Sequence, residues 1–449
     1  MAIQGFDREK FFNTINSVLS SSEPIRSYEM LYGRSKQLDE LEFALNMNGR
    51  HAFILGDRGV GKSSLAMTAA YQIQSSDNKP VIVTCDKHST LVSVAKSILS
   101  HAVATVDFQS QSRKLALNIP GLKYEVGSES DSHPSLPEIT DVMSAALVLS
   151  SLSKWHSRKP VVVIDEFDQV SQGERQSFGV LLKHLGDSGA DVKLIFTGIG
   201  HSLGDLLDGH LSSSRQLHQV KLDVLSWDGR FEIIDRAFER FGIKIPEDFR
   251  FKIAGLSDGF PNYVHLICEK LLYEAYSSED LIAEIDRKLF LAGLDDAIES
   301  VSETLRRSYD KATQGRAEHL HHILWAMADS SDLIRRYEHF LNSYHQITEQ
   351  LGVEPLEKDR LKREFAKLRK GCHGSILERG LGNRPSWFKF SENILRGFIR
   401  MYAEQNGITV DFVRSYTAQT ASVRSVRSQK TYQPLTEVER NTDWIRSRK

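Results

Sequence analysis

At 449 residues the chain is too long for one ordinary domain and has room for about three. Hydrophobic residues at 40% and charged residues at 26% describe a globular protein, and a formal net charge of -2 excludes wholesale coating of nucleic acid, leaving only local basic patches. Cys85, Cys268 and Cys372 lie far apart and form no CxxC pair, which excludes a disulfide or metal framework and suits a reducing compartment.

Residues 1–29 read as a helical extension. Asp7, Arg8, Glu9 and Lys10 stand where a signal peptide needs its apolar core, and no run approaches the length that spans a bilayer. The expectation is a soluble cytoplasmic protein with no membrane partner. From 30 to 225, short β-rich runs at 52–55, 81–85, 161–164, 192–197 and 217–222 alternate with longer helical stretches, which predicts a parallel sheet covered by helices. The segment 109–137 interrupts this core. Within it, Leu115-Ala-Leu-Asn-Ile-Pro-Gly-Leu-Lys-Tyr-Glu-Val126 alternates about a Pro120-Gly121 turn, with a polar run behind, and reads as an inserted hairpin. Contact with DNA or a neighbouring subunit and mere surface decoration are both open for it.

From 226 to 305 the β runs vanish and helical periodicity predicts a helical lid. Residues 306–410 hold helix candidates around 319–328, 332–351 and 357–370. A β-like pair follows at 375–378 and 387–390, so this region reads as a winged-helix-like domain. Residues 411–449 have no period and read as a disordered, mildly basic tail containing Arg414, Arg424, Arg427 and Lys430.

The run Gly56, Asp57, Arg58, Gly59, Val60, Gly61, Lys62, Ser63 and Ser64 has the spacing GxxxxGK[ST] between a β run and a helix. Glycines there let backbone N–H groups turn around phosphates, Lys62 supplies charge to the β and γ phosphates, and the Ser63 hydroxyl can ligate Mg²⁺. About a hundred residues on, the apolar run 161–164 ends in Asp165-Glu166-Phe-Asp168. Asp165 can hold the Mg²⁺ shell and Glu166 can polarise an attacking water. Thr197 ends the next β run, where its hydroxyl either orients that water or serves ordinary turn chemistry. The expected ligands are ATP or ADP with Mg²⁺, and the expected activity is ATP hydrolysis.

Together with these motifs, Leu31-Tyr32-Gly33-Arg34 followed by Leu38, Leu41 and Leu45, and Gly259-Phe-Pro261-Asn-Tyr-Val-His265, resemble the AAA+ ATPases of the replication-initiator (origin-recognition) clade and the related STAND-type switch ATPases. The resemblance implies an α/β parallel-sheet P-loop NTPase core of the AAA+/ASCE type, with a helical lid and a C-terminal winged helix. It implies that Tyr32 and Arg34 lie near the adenine or ribose, that Pro261 packs on the base, and that Thr197 is the sensor-1 residue. Arg215, just before the last core β run, falls where such proteins keep a finger that enters a neighbour's site. That role requires a homo-oligomeric ring or filament, and a plain solvated loop residue is the other reading. Where initiators carry a lid arginine this chain has Asn262, with His265 nearby, which favours a slow switch over a fast motor.

In 357–370, Leu361, Phe365 and Leu368 share one helical face, and Arg360, Arg363, Lys367 and Lys370 form a stripe nearly opposite. With Arg379 and Arg384 in the following turn, this suits a helix lying along DNA phosphates; it equally suits an ordinary surface helix. His319, His321 and His322 lack matching ligand spacing, so no metal site is expected from them. The leading expectation is a slowly hydrolysing, oligomerising, nucleotide-dependent switch on DNA or partner proteins. The alternative is a STAND-like signalling or antiviral defence regulator that gates a separate effector protein without binding DNA.

Overall fold

The computed structural model describes residues 3, 5–74, 78–105, 138–200, 203–204, 215–380 and 384–415. The hairpin read at 109–137, most of the tail and the tip of the 379–384 turn lie outside the described residues. The chain forms two compact units, Met1–Ser300 and Val301–Lys449, and this division falls inside the segment read from sequence as lid.

In the first unit, α1 (Arg8–Val18) starts on Asp7, whose carboxylate accepts the Lys10 N–H at 2.7 Å as an N-cap. Then come α2 (Ser35–Asn46), β1 (His51–Leu55), α3 (Lys62–Ile73), β2 (Val81–Thr84), α4 (Leu91–Thr105), α5 (Val142–Trp155), β3 (Val161–Asp165), α6 (Gln172–Asp187), β4 (Lys193–Gly198) and β5 (Leu217–Lys221). Among the described residues these strands form one parallel sheet in the order β2-β3-β4-β1-β5. Every residue of β3 and β4 is buried, which is why both read as continuous apolar runs instead of alternating ones. Phe53 of β1 stacks on Phe196 of β4, and Phe167 and Phe178 meet Phe196 edge-on, so aromatic rings fill the face beneath the strand ends.

Residues 222–226 lead into four further helices, α7 (Trp227–Phe241), α8 (Glu247–Leu256), α9 (Pro261–Ser277) and α10 (Arg287–Ser300). The Ser226 hydroxyl caps α7 by accepting the Gly229 N–H at 3.2 Å, and Pro261 opens α9, where its missing N–H costs nothing. The start of the N-terminal extension packs here: Phe11 of α1 stacks on Tyr276 at 4.2 Å, and Phe6 stacks on Phe241 at 4.9 Å.

The second unit contains α11 (Glu303–Thr313), α12 (His319–Ala328), β6 (Arg335–Arg336), α13 (Tyr337–Leu351), α14 (Lys358–Lys367), β7 (Leu377–Arg379), β8 (Trp387–Phe390) and α15 (Leu395–Gln405). The three strands are antiparallel in the order β6-β8-β7. The helix expected over 332–351 therefore begins only at Tyr337, because Arg335 and Arg336 pair with Phe388 and Trp387. Arg335, Arg396 and Arg400 are buried, and their guanidinium groups donate to the carbonyls of Met327, Ser331 and Ala328. These cations satisfy the carbonyl-rich end of α12 and the turn beyond it. No helix among the described residues is long and apolar enough to cross a membrane.

Among the buried histidines, His51 and His265 are held as neutral rings. His51, 1% exposed, accepts the Leu194 N–H on Nδ1 at 3.1 Å, and His265, 2% exposed, accepts that of Ser20 at 3.4 Å. Burial lowers their pKa values to about 3 and about 4, with Lys193 adding to the shift of His51. The unfolded chain takes up these protons near pH 6.5 while the native chain refuses them, so their stabilising contribution is whole above pH 6.5 and is lost as pH falls toward those values. Urea unfolding should therefore weaken between pH 6.5 and pH 4.5, by up to about 1.4 kcal/mol per pH unit for each ring. His51→Gln should flatten that slope whatever it does to stability at pH 8.

Candidate nucleotide site

The phosphate loop leaves β1 at Gly56, whose N–H donates to the Gly198 carbonyl at 3.3 Å. A Cβ on Gly56 would run into the Leu222 carbonyl, so the loop's entrance lies directly against the segment leading to α7. Gly59 and Gly61 have φ of 83° and 94°, left-handed values that suit glycine and curl the backbone. The first turn of α3 has no side-chain cap, the condition in which a helix N-terminus accepts an anion. Lys62 Nζ donates to the Gly56 and Asp57 carbonyls at 3.0 and 2.9 Å. Burial lowers the Lys62 pKa, and Asp168, Asp165, Asp57 and Glu166 act in the opposite direction.

Asp165, 6% exposed, joins three elements through one oxygen. Its Oδ1 accepts the Ser63 hydroxyl from α3 at 2.9 Å and also the Thr197 hydroxyl from β4. Thr197 in turn accepts the Glu166 backbone N–H at 3.1 Å. Glu166 sits at φ 53°, a left-handed backbone that a non-glycine residue adopts only when its surroundings hold it there. A hydroxyl and a carboxylate oxygen converging beside a phosphate loop make a hard donor set, which suits Mg²⁺.

The remaining nucleotide candidates are spread around the loop. Pro261 at the start of α9 lies close to Gly61, with Cγ 3.7 Å from where a Cβ would stand. Tyr32 is half-buried beside the α7 charges Arg236, Glu232 and Arg240, and its burial raises its pKa. Arg34 is buried, and its Nη2 donates to the backbone carbonyls of Val60 and Asp223 at 3.1 and 2.6 Å. Asn262 donates to the Ser21 carbonyl and Glu269 accepts the Ser21 hydroxyl, so the polar side chains at the start of α9, with His265, are engaged by residues 20–21. The same strap reaches the other side of the site: the Ile25 N–H donates to the Ser64 hydroxyl at 3.1 Å, and its carbonyl accepts from Thr68 at 3.3 Å. Sequence reasoning missed Ser20, Ser21 and Ile25, which belong to no motif and act largely through backbone atoms.

Arg215 is exposed immediately before β5, and most of the loop that precedes it lies outside the described residues. In the second unit Arg360, Arg363, Lys370, Arg379 and Arg384 are all exposed. Lys367 is partly buried and pairs with Glu364 at 2.7 Å, and Glu364 also meets His319 at 3.4 Å. His321 shares a 2.6 Å hydrogen bond with Tyr309.

The Thr197 hydroxyl donates to the Asp165 carboxylate and accepts the Glu166 N–H, and Thr197 is 1% exposed. Thr197→Val keeps the shape and strands the Glu166 N–H, so it should lower unfolding free energy by about 1–3 kcal/mol. Thr197→Ser, which retains the hydroxyl, should lose clearly less in the same urea titration.

Residues 30–195 match the family model of the AAA ATPase domain. A Walker-type ATPase of Pyrococcus abyssi superposes with a TM-score of 0.51 at 17% identity, covering 84% of this chain and 98% of that one, a likeness of fold. Cdc6p from Pyrobaculum aerophilum gives 0.42 at 17% identity over 87% of this chain and 98% of its own. The ORC2 protein of Aeropyrum pernix, an ADPNP–ADP complex, gives 0.45 at 11% identity over 90% of this chain and all of its own, 100%. No curated protein matches the chain in sequence. With its phosphate loop, its acidic strand end and the parallel sheet that carries them, the chain bears an AAA ATPase domain of the AAA+ P-loop type.

Proposed function

We propose that this chain binds ATP, hydrolyses it slowly to ADP and phosphate, and acts as an oligomerising nucleotide-dependent switch that engages DNA through its second unit. The observation that carries this reading is the single Asp165 oxygen shared by Ser63 and Thr197, because it ties the phosphate loop to the strand end that bears Glu166. Ser63 and Asp165 would hold Mg²⁺, which when bound neutralises charge on the β and γ phosphates. Lys62 exchanges its loop carbonyls for phosphate oxygens. Glu166, held by the Thr197 hydroxyl, orients a water and accepts its proton as it attacks the γ phosphorus. Arg215, exposed at the approach to β5, acts on the γ phosphate of a neighbouring copy. Slow turnover follows from α9, where Asn262 and His265 are engaged by residues 20–21 and offer no cation to the phosphates.

Glu166→Gln should reduce phosphate release at least about a hundredfold and accumulate an ATP-bound oligomer on size exclusion. Lys62→Ala should remain unassembled in the same runs. Equal assembly of both variants with ATP would sink the switch.

For the second unit, the order α12-β6-α13-α14-β7-β8 and the sheet order β6-β8-β7 support a winged helix with α14 in the recognition position. Arg360 and Arg363 are exposed on α14, whereas Lys367 is tied to Glu364. Joint Arg360→Glu and Arg363→Glu substitution should weaken binding to duplex DNA more than about tenfold at low salt and flatten the salt dependence. Fluorescence anisotropy of the full chain measures both. Wild type that fails to bind at low salt would favour the gating of a separate effector protein.

A further inference from the structure

Arg34 lies in the Leu31-Tyr32-Gly33-Arg34 box, 26 residues before Val60 and 189 before Asp223, yet one of its nitrogens donates to the carbonyls of both. Only 6% of the residue is exposed. Val60 stands between the left-handed Gly59 and Gly61, at the bend of the phosphate loop. In a planar trans peptide the carbonyl and the following N–H point in opposite directions. Anchoring the Val60 carbonyl to Arg34 therefore turns the Gly61 N–H away from Arg34 and fixes the peptide plane at the bend of the loop. The second partner, Asp223, belongs to the segment between β5 and α7, and the next residue but one, Leu225, donates its N–H to Gly259 at 2.8 Å just before α9. Gly33 completes the junction: at φ 65°, a Cβ there would stand 2.8 Å from Gly229 Cα in the first turn of α7.

We propose that Arg34 is a positioning residue, locking the phosphate loop to the segment that leads into α7, so that affinity for the triphosphate depends on it whatever base the nucleotide carries. This rests on the reading that the loop binds triphosphates, and it departs from the base-side role that the resemblance implied. An arginine suits the task because one planar NH2 of its guanidinium holds two N–H bonds in fixed directions, one for each carbonyl, which a lysine ammonium does less rigidly.

Calorimetric titration of full-length wild type and Arg34→Gln with ATP, GTP and inorganic tripolyphosphate tests it. Losing a charge-assisted bond at this junction should weaken all three ligands by a common factor of at least about ten. Arg34→Lys should recover part of that loss for all three, and it serves as the principal variant if Arg34→Gln fails to fold. Nucleotide-free amide exchange should quicken at 60–61 and 223–225 in either variant. A loss confined to ATP, with tripolyphosphate affinity unchanged, would make Arg34 a base reader and overturn the proposal; so would unchanged affinities for all three. None of these measurements needs turnover, so absence of hydrolysis would count against the ATPase reading alone.

Discussion

One carboxylate oxygen organises the first unit. Asp165 is the last residue of a strand buried along its whole length, and its Oδ1 receives hydroxyls from a helix on one side and a strand on the other. Both donors reach it because β1, β4 and β3 lie side by side and parallel, so all their C-terminal ends open on one edge. Register matters as much as order. Ile164 stands opposite Phe196, which leaves Asp165 and Thr197 adjacent beyond it, and a slip of one residue would send either side chain to the opposite face. The aromatic contacts among Phe53, Phe167, Phe178 and Phe196 lie beneath this edge and resist such a slip.

What surrounds that edge is largely backbone meeting backbone. The Leu222 carbonyl crowds Gly56, and the Leu222 N–H donates to the Leu55 carbonyl at 2.6 Å. Val60 and Asp223 share a guanidinium. Each of these contacts joins the loop that would hold phosphates to the short segment that starts α7, the first two through backbone alone and the third through Arg34, so a displacement of one is felt by the other.

The loop, the acidic strand end and the five strands were legible because each has a residue-type signature: glycine spacing, an apolar run closed by acids, β-branched clusters between helical stretches. The strap at 20–25 was not, since its links to His265, Asn262 and Ser64 use main-chain groups that any residue carries. Arg34 was visible as a residue but its partners were not, for the same reason. In the second unit, two residues of strand at Arg335–Arg336 are too few to show a period, and the apolar spacing that follows let them pass as helix. The Lys367–Glu364 pair, a three-residue helical spacing, was available in the sequence and was outweighed by the basic stripe.

The strap changes what kind of motion α7–α10 can make. These helices join the sheet not only through 222–226 but also, on another side, through residues 20–21 bound to α9 and Ile25 bound to α3. A body attached along one edge swings like a door, whereas one pinned along two edges can only rock about the line between the pins. Rocking about that line would slide Pro261 across Gly61, which it already approaches, instead of lifting it clear.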